Sequence, residues 1–233
     1  WYESFPEAAR GLVPEQKIAK EVVRIREKCG ELRRACEELG MSLGMIHAAA
    51  LKARELFAEP GGEFHWYFDE MQLALQWGSL LFVHAGVDDV VAKMLAEEGV
   101  DAANRWFHDL LSRDLFELYH GPVGNVFRTK YRRFDHPLTT TGIADVHRAG
   151  IYAIVHGHRN ITRGQRMQVR CGILNFECDC SVDRKTRQVE GLTGYGAAAT
   201  VFRPDGRVLG ISTDHDRVRV FDPTSVCDLL AVV

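Results

Sequence analysis

Two apolar segments of the sequence each end at a histidine that lies beside a glycine. Residues 80–86 read LLFVHAG, and residues 152–158 read YAIVHGH. Apolar runs of this length are typical of buried β-strands, and open α/β folds bind their ligands at the carboxyl ends of such strands. The glycine lets the backbone turn sharply and approach a bound group closely. The two segments therefore predict one shared site.

His84 and His158 are the main candidates for metal ligands, because each follows an apolar strand and has a glycine close by. Neutral imidazole suits zinc, iron, manganese and nickel. His156 lies two residues before His158, so on an extended backbone the two side chains would share a face. We expect His156 to be either a further ligand or a residue that supports one from outside the ligand set.

The composition is that of an ordinary globular protein, with 46% apolar and 26% charged residues in a chain of 233. A formal net charge of −3 argues against a broad nucleic-acid-binding surface. No uncharged apolar run reaches the roughly 18 residues that a membrane span needs. The six cysteines form no CxxC pair, which favours small buried side chains in a reducing compartment. These features predict a cytoplasmic protein.

Residues 1–60 are predicted to form a helical hairpin that caps, or is inserted into, a main unit of residues 61–233. Between residues 14 and 39, apolar positions recur at alternating steps of four and three, and a second helix is predicted over residues 42–58. We expect these two helices to pack on each other along one face. The alternative is a coiled-coil dimer through the same seam, which its short length and Gly30 disfavour.

Between the two histidine strands the pattern is mainly helical. Asp88 or Asp89 is expected to cap a helix that runs to about Glu98, and Asp101 to cap another that runs to about His120. Residues 121–150 are expected to be irregular because Pro137 and Gly142 interrupt them.

Three arginines, Arg128, Arg132 and Arg133, lie in this irregular stretch between the two histidine strands. Basic residues in such a loop are well placed to contact an anion. A solvated basic surface is the alternative.

The last third of the chain is typical of β-structure. We predict strands over residues 167–176, 194–202, 207–213 and 217–221, with Pro204-Asp205-Gly206 as a hairpin turn. Residues 71–77 are predicted to form a hairpin with the first histidine strand. Helices in the first half and antiparallel strands in the second indicate a layered α/β or α+β fold.

The two histidine motifs resemble the last two motifs of the calcineurin-like metallophosphoesterases. Residues 82–86 (FVHAG) are similar to the family's strand that ends in His-Gly-Gly or His-Ala-Gly, and residues 155–159 (VHGHR) to its later Gly-His. Residues 174–179 (LNFECD) stand where the family has a strand with an Asn-Ile-Asp-like ending. The resemblance covers about residues 71–222 and is closest to the phosphoprotein-phosphatase-like and diadenosine-tetraphosphatase-like branch.

The resemblance implies a β-sandwich flanked by helices and a hydrolase with two divalent ions, manganese, iron, zinc or nickel, that acts on phosphate esters. His84 and His158 would ligate the second ion. Substrates would be phosphorylated small molecules or phosphoproteins, and Arg128, Arg132 or Arg133 would hold the phosphate. Asn160 stands where many other branches have a further histidine ligand, which again favours the phosphoprotein-phosphatase-like branch, and it would support the ligands from outside the ligand set.

The family's first three motifs do not occur in these residues. They are Gly-Asp-x-His, Gly-Asp-x-x-Asp-Arg-Gly and Gly-Asn-His-Glu, and they supply the remaining ligands, the bridging carboxylate and the histidine that protonates the leaving group. We therefore expect these catalytic residues upstream of Trp1 and assign none within the sequence. The chain would then be the C-terminal part of a longer phosphoesterase, and as it stands it should bind metal weakly and have little activity.

Two other interpretations remain open. The first is a non-catalytic binding or scaffold module that uses the helical hairpin as its interaction surface. The second is a mononuclear metal protein of another family that uses His84, His156 and His158 with a carboxylate such as Asp88 or Asp179.

Overall fold

A computed structural model describes residues 2–131, 133 and 135–222 of the chain. It contains the helices α1 (Phe5–Ala8), α2 (Glu15–Glu38), α3 (Leu43–Phe57), α4 (His65–Asp69), α5 (Asp89–Glu97), α6 (Val100–Arg113), α7 (Leu115–His120), α8 (Pro122–Arg128), α9 (Thr140–Arg148) and α10 (Arg184–Val189). The strands are β1 (Ala74–Trp77), β2 (Leu80–Val83), β3 (Ala153–His156), β4 (Arg166–Arg170), β5 (Ile173–Glu177), β6 (Ala198–Phe202), β7 (Val208–Ser212) and β8 (Arg219–Phe221).

The larger sheet has five strands in the order β1-β2-β3-β5-β4. The three central strands β2, β3 and β5 are parallel, whereas β1 and β4 pair antiparallel at the two edges. Residues 89–148, which include α5 to α9, form the crossover between β2 and β3. The two predicted histidine strands are therefore adjacent and parallel, and their carboxyl ends meet at one edge of the sheet.

The chain is layered, as the sequence predicted. One face of the large sheet packs on the crossover helices, in a core that includes Leu81, Ile154 and Ile173. The other face packs on a three-stranded sheet of order β6-β7-β8, through Phe176 and Val208. Alternate residues of β3 and β5 therefore enter different cores. No helix in the described part of the chain is both long and apolar enough to cross a bilayer.

Buried polar contacts fix the ends of this arrangement. The Asn104 side chain makes two hydrogen bonds of 3.0 Å to the backbone of Ala74, which ties α6 to the edge strand β1. The buried Arg187 guanidinium pairs with Asp214 at 2.5 and 3.1 Å and donates to the backbone carbonyls of Ser181 and Gly194. This second cluster joins α10 to the end of β7.

The two N-terminal helices form where predicted but do not pack along each other. Ser42 caps α3 by accepting from Met45 N, yet α3 has no buried residue and contacts α4. The first part of α2 packs through Ile18, Val22 and Ile25 against Phe5 and its neighbours, and near its other end Cys36 is buried. The predicted packing of α2 and α3 along one face is thus wrong, because α3 buries none of its side chains.

The structure corrects four further boundaries. Helix α6 is capped at Gly99 rather than at Asp101. The helix predicted to run to about His120 is divided at Asp114, which ends α6 and caps α7. Residues 121–150, predicted to be irregular, contain two helices, α8 and α9. Gly142 does not break α9; a glycine is needed at this position because any larger side chain would collide with Asp89. The strand predicted over residues 167–176 is a hairpin that turns at Cys171 and Gly172, both with positive φ.

Candidate functional site

The carboxyl ends of β2 and β3 bring the two predicted histidines together. His84 follows β2 directly, and His158 lies two residues beyond β3. The Gly157 amide donates to the carbonyl of His84 at 3.0 Å, so the two strand ends remain paired beyond the regular ladder. His84 is exposed and His158 is half-buried, which leaves the pair accessible at the edge of the sheet.

The imidazoles of His84 and His158 face each other. His84 Nε2 lies 3.2 Å from His158 Nδ1, and the ring centroids are 5.1 Å apart. Two nitrogens that each lie about 2.0–2.1 Å from one tetrahedral ion are separated by roughly 3.4 Å. The two rings share a hydrogen bond in this structure, and the same separation is close to that of two ligands on a single divalent ion.

The backbone at His158 is held in an unusual conformation. Its φ is +58°, in the left-handed region that residues other than glycine seldom adopt. The preceding Gly157 is also constrained, because a side chain there would contact Asp179 closely. Strained backbone of this kind persists where the surrounding structure fixes it, and it often marks functional sites. Here it turns the His158 ring towards His84.

The surroundings of His158 favour its neutral form. Burial lowers its pKa, as do the positive charge of Lys130 and the neighbouring His84, while a hydrogen bond to the Arg128 backbone and the charge of Asp179 oppose this. Only neutral imidazole ligates a metal. A ligating histidine usually gives its second ring N–H to a carbonyl or a carboxylate, and the Arg128 backbone is suited to that role.

His156 does not share the exposed face of this pair. It is buried on the helix-facing side of β3, and its Nδ1 donates to the Gly157 carbonyl at 3.0 Å. Burial lowers the pKa of His156, partly offset by the Gly157 backbone and by Glu177. The structure thus places His156 beneath the pair.

This burial predicts a pH dependence of stability. Because its pKa is lowered in the folded chain, His156 takes up its proton first in the unfolded chain, at about pH 6.5. The contribution of His156 to the free energy of unfolding is therefore fully present above that pH and is lost as the pH falls below it. Wild-type protein should therefore show a clear drop in urea midpoint between pH 7.5 and 5.5, and His156→Gln should show a smaller drop. His47→Gln, on an exposed helix face, serves as the control and should match the wild type.

The side chains of Asn160 and Arg128, two other predicted site residues, make their contacts away from the histidine pair. Asn160 donates to Glu190 at 2.7 Å and accepts from Ser181 at 3.0 Å, which directs it away from His84 and towards α10. The Arg128 guanidinium donates to the Gly124 carbonyl at 3.2 Å and lies over the Tyr119 ring. Arg133 is exposed.

Two of the sequence-based expectations fall on parts of the protein that the structure does not describe. Arg132, a candidate for phosphate contact, lies outside the described residues. Trp1 also lies outside them, and the catalytic groups expected upstream of Trp1 are not part of the 233-residue sequence. The expectation about these groups therefore stays a prediction.

The mononuclear interpretation, with three histidines and a carboxylate, is not supported. Asp88 is buried, caps α5 through Val91 N at 3.0 Å and accepts from Asn125 at 2.7 Å. His156 faces the interior, as described above. Across the residues that the structure describes, no group of three or more His, Cys, Asp or Glu side chains is placed to hold a metal ion. The His84–His158 pair supplies two ligands and no complete centre.

The sequence did not indicate a polar cluster at the same edge of the sheet. Glu177, the last residue of β5, is fully buried and lies beside His156 in the parallel ladder. It accepts from Arg166, Gln168 and Arg170 of β4. Polar residues alternate along β4, and this pattern could have indicated the cluster. It was missed because residues 167–176 were predicted to form one strand, so β4 and β5 were not recognised as two paired strands.

A groove of about 420 Å³ opens beside His84. Its lining includes His84 and is mostly apolar, from β1 and the residues before it, from β2 and from α8: Met71, Leu73, Leu75, Phe82 and Phe127. The histidine pair therefore lies next to a surface that can receive an apolar group.

No family model matches the chain, and no curated protein matches it. Among solved structures, a cold-active protein tyrosine phosphatase and a point mutant of it are similar at 13% and 14% identity. Each match has a TM-score of 0.45 and covers 68% of this chain, but only 44% and 45% of those chains. The chain thus spans less than half the length of these structures. Similarity at this level establishes neither the fold nor the function of the chain.

Proposed function

We propose that this chain contributes half of the metal centre of a metal-dependent phosphoesterase. His84 and His158 would be two ligands of one divalent ion, manganese, iron, zinc or nickel. The remaining ligands and the bridging carboxylate would come from a part of the protein outside these 233 residues. A divalent ion held there would supply Lewis-acid polarisation of a phosphoryl oxygen.

The observation that supports this proposal is the 3.2 Å separation of His84 Nε2 and His158 Nδ1. It arises at the carboxyl ends of two adjacent parallel strands, where ligand sites of open sheets lie. The left-handed backbone of His158 orients its ring, and burial lowers the pKa of the imidazole, which favours its neutral form.

This chain's own residues would position the substrate as well as the ion. The apolar groove beside His84 would receive the organic part of a phosphate ester, while the phosphoryl group would lie at the histidine pair. The Arg128 and Arg133 side chains stay candidates for phosphate contact by residue type alone.

The proposal predicts a loss of activity in the full-length protein. His158→Ala should lower turnover of a chromogenic phosphate ester by at least about a thousandfold, because removal of a ligand displaces the ion that polarises the phosphoryl group. His147→Ala, a substitution at a half-buried histidine that stacks on Tyr152, should leave turnover within about twofold of the wild type. Substantial turnover by His158→Ala would refute the assignment.

A scaffold role is the second candidate, and the N-terminal helices favour it. Helix α3 has no buried residue, and Leu39, Leu43, Met45 and Leu51 expose between 49% and 69% of their surface. Exposed apolar side chains in such number are typical of surfaces that contact another protein or another part of the same one.

A further inference from the structure

A cluster of three arginines surrounds the buried carboxylate of Glu177. Arg166 donates to it through Nε at 2.7 Å and through Nη2, and Arg170 donates at 2.9 Å. The third arginine, Arg159, brings its Nη1 to 3.9 Å from the same carboxylate. Glu177 is fully buried, so it fixes the three guanidinium groups around one point.

The cluster has more positive than negative charge. In the described chain Glu177 is the only carboxylate within ion-pair distance of Arg166 and Arg170, so these two guanidinium groups carry one positive charge more than the carboxylate between them. Arg170 Nε is buried and has no hydrogen-bond partner among the described residues. A buried donor without an acceptor is costly. The surplus of charge and this donor both indicate that an anion completes the cluster.

The guanidinium groups are held in place before any ligand binds. Arg170 lies over the Tyr131 ring, 5.4 Å from its centroid, and Tyr131 Oη accepts from the amide of Val87 at 3.2 Å. Arg166 comes from the edge strand β4 and leaves half of its side chain exposed. The cluster is therefore ordered on its buried side and open to solvent on the other.

We infer that Arg159, Arg166 and Arg170 form a binding site for a phosphate group. A planar guanidinium presents paired N–H groups that match two oxygens of a phosphate, and an anion there would offset the surplus charge of Arg166 and Arg170. Arg159 directly follows His158, so the site lies on the same edge of the sheet as the histidine pair. It is formed by arginine side chains alone and requires no metal.

The test is calorimetric titration of metal-free protein, kept in a chelator, with inorganic phosphate at pH 7.5 and constant ionic strength. Wild-type protein should bind phosphate, and Arg166→Gln should bind it about tenfold more weakly or worse, because charge-assisted hydrogen bonds are lost. The matched control is Arg203→Gln. Arg203 directly follows the edge strand β6, pairs with one carboxylate, Asp205, and is 46% exposed against 50% for Arg166. The Arg203→Gln variant should bind phosphate like the wild type.

The inference is overturned if wild-type protein binds no phosphate without metal, or if Arg166→Gln and Arg203→Gln bind equally well. A thermal melt of each variant checks the fold. If Arg166→Gln does not fold, Arg159→Gln replaces it, with the same expected loss and the same contradicting result. Because metal is absent throughout, failure here leaves the histidine assignment untouched, and failure of that assignment leaves the phosphate site standing.

Discussion

Replacement of Glu177 by glutamine is expected to lower the free energy of unfolding by about 3 kcal/mol, since removal of one partner from a buried ion pair leaves uncompensated charge. Glu177 is fully buried and is shared by Arg166, Arg170 and Arg159. The value is at the low end for a buried pair because Arg166 is half-exposed and solvent can screen it. The volume of the side chain barely changes, so packing contributes little to the effect.

Urea denaturation followed by circular dichroism measures this loss. Glu98→Gln is the control, because Glu98 lies on the surface just after α5 and makes no ion pair with another described residue. It should shift the midpoint by no more than a few tenths of a molar. An equally small shift for Glu177→Gln would mean that the three arginines do not depend on the carboxylate, and the charge cluster would lose its basis.

The second large effect is expected at the histidine pair. In the full-length protein, either His84→Ala or His158→Ala should weaken zinc binding by at least about a hundredfold, since loss of a partner outside the ligand set already costs about 10–100-fold in metal proteins. The two substitutions should be strongly non-additive, because the second removes a ligand from a site that is already broken. Competition with a chromophoric zinc indicator reports the dissociation constants.

His47→Ala controls for weak zinc binding at surface histidines, since His47 is exposed on α3. It should leave the dissociation constant within about twofold. Zinc affinity that stays the same in His84→Ala, His158→Ala and His47→Ala would exclude the pair as the site.

The sequence predicted the parts of the fold that depend on local pattern. Strand β2, strand β3 and the hairpin of β6 and β7 lie where alternation and turn residues place them. The adjacency of His84 and His158 was also predictable, since both residues follow buried parallel-type strands. Their 3.2 Å contact required the paired strand ends and the left-handed backbone of His158, which no local pattern encodes.

What the sequence did not predict depends on contacts between distant residues. Gly142 predicts a break in a helix, yet it lies within α9. The glycine is there because Asp89, more than fifty residues earlier in the chain, occupies the space that a side chain would need. The seam of α2 predicted a partner helix, but the chain places only its first turns against Phe5. The arginines around Glu177 meet only after β4 folds back on β5.

The central claim is that His84 and His158 bind one ion together, and zinc K-edge X-ray absorption tests it most directly. Wild-type protein loaded with less than one equivalent of zinc should show at least two imidazole nitrogens at about 2.0–2.1 Å. The double variant His84→Ala, His158→Ala, loaded in the same way, should show none. An unchanged imidazole signal in that variant would contradict the account.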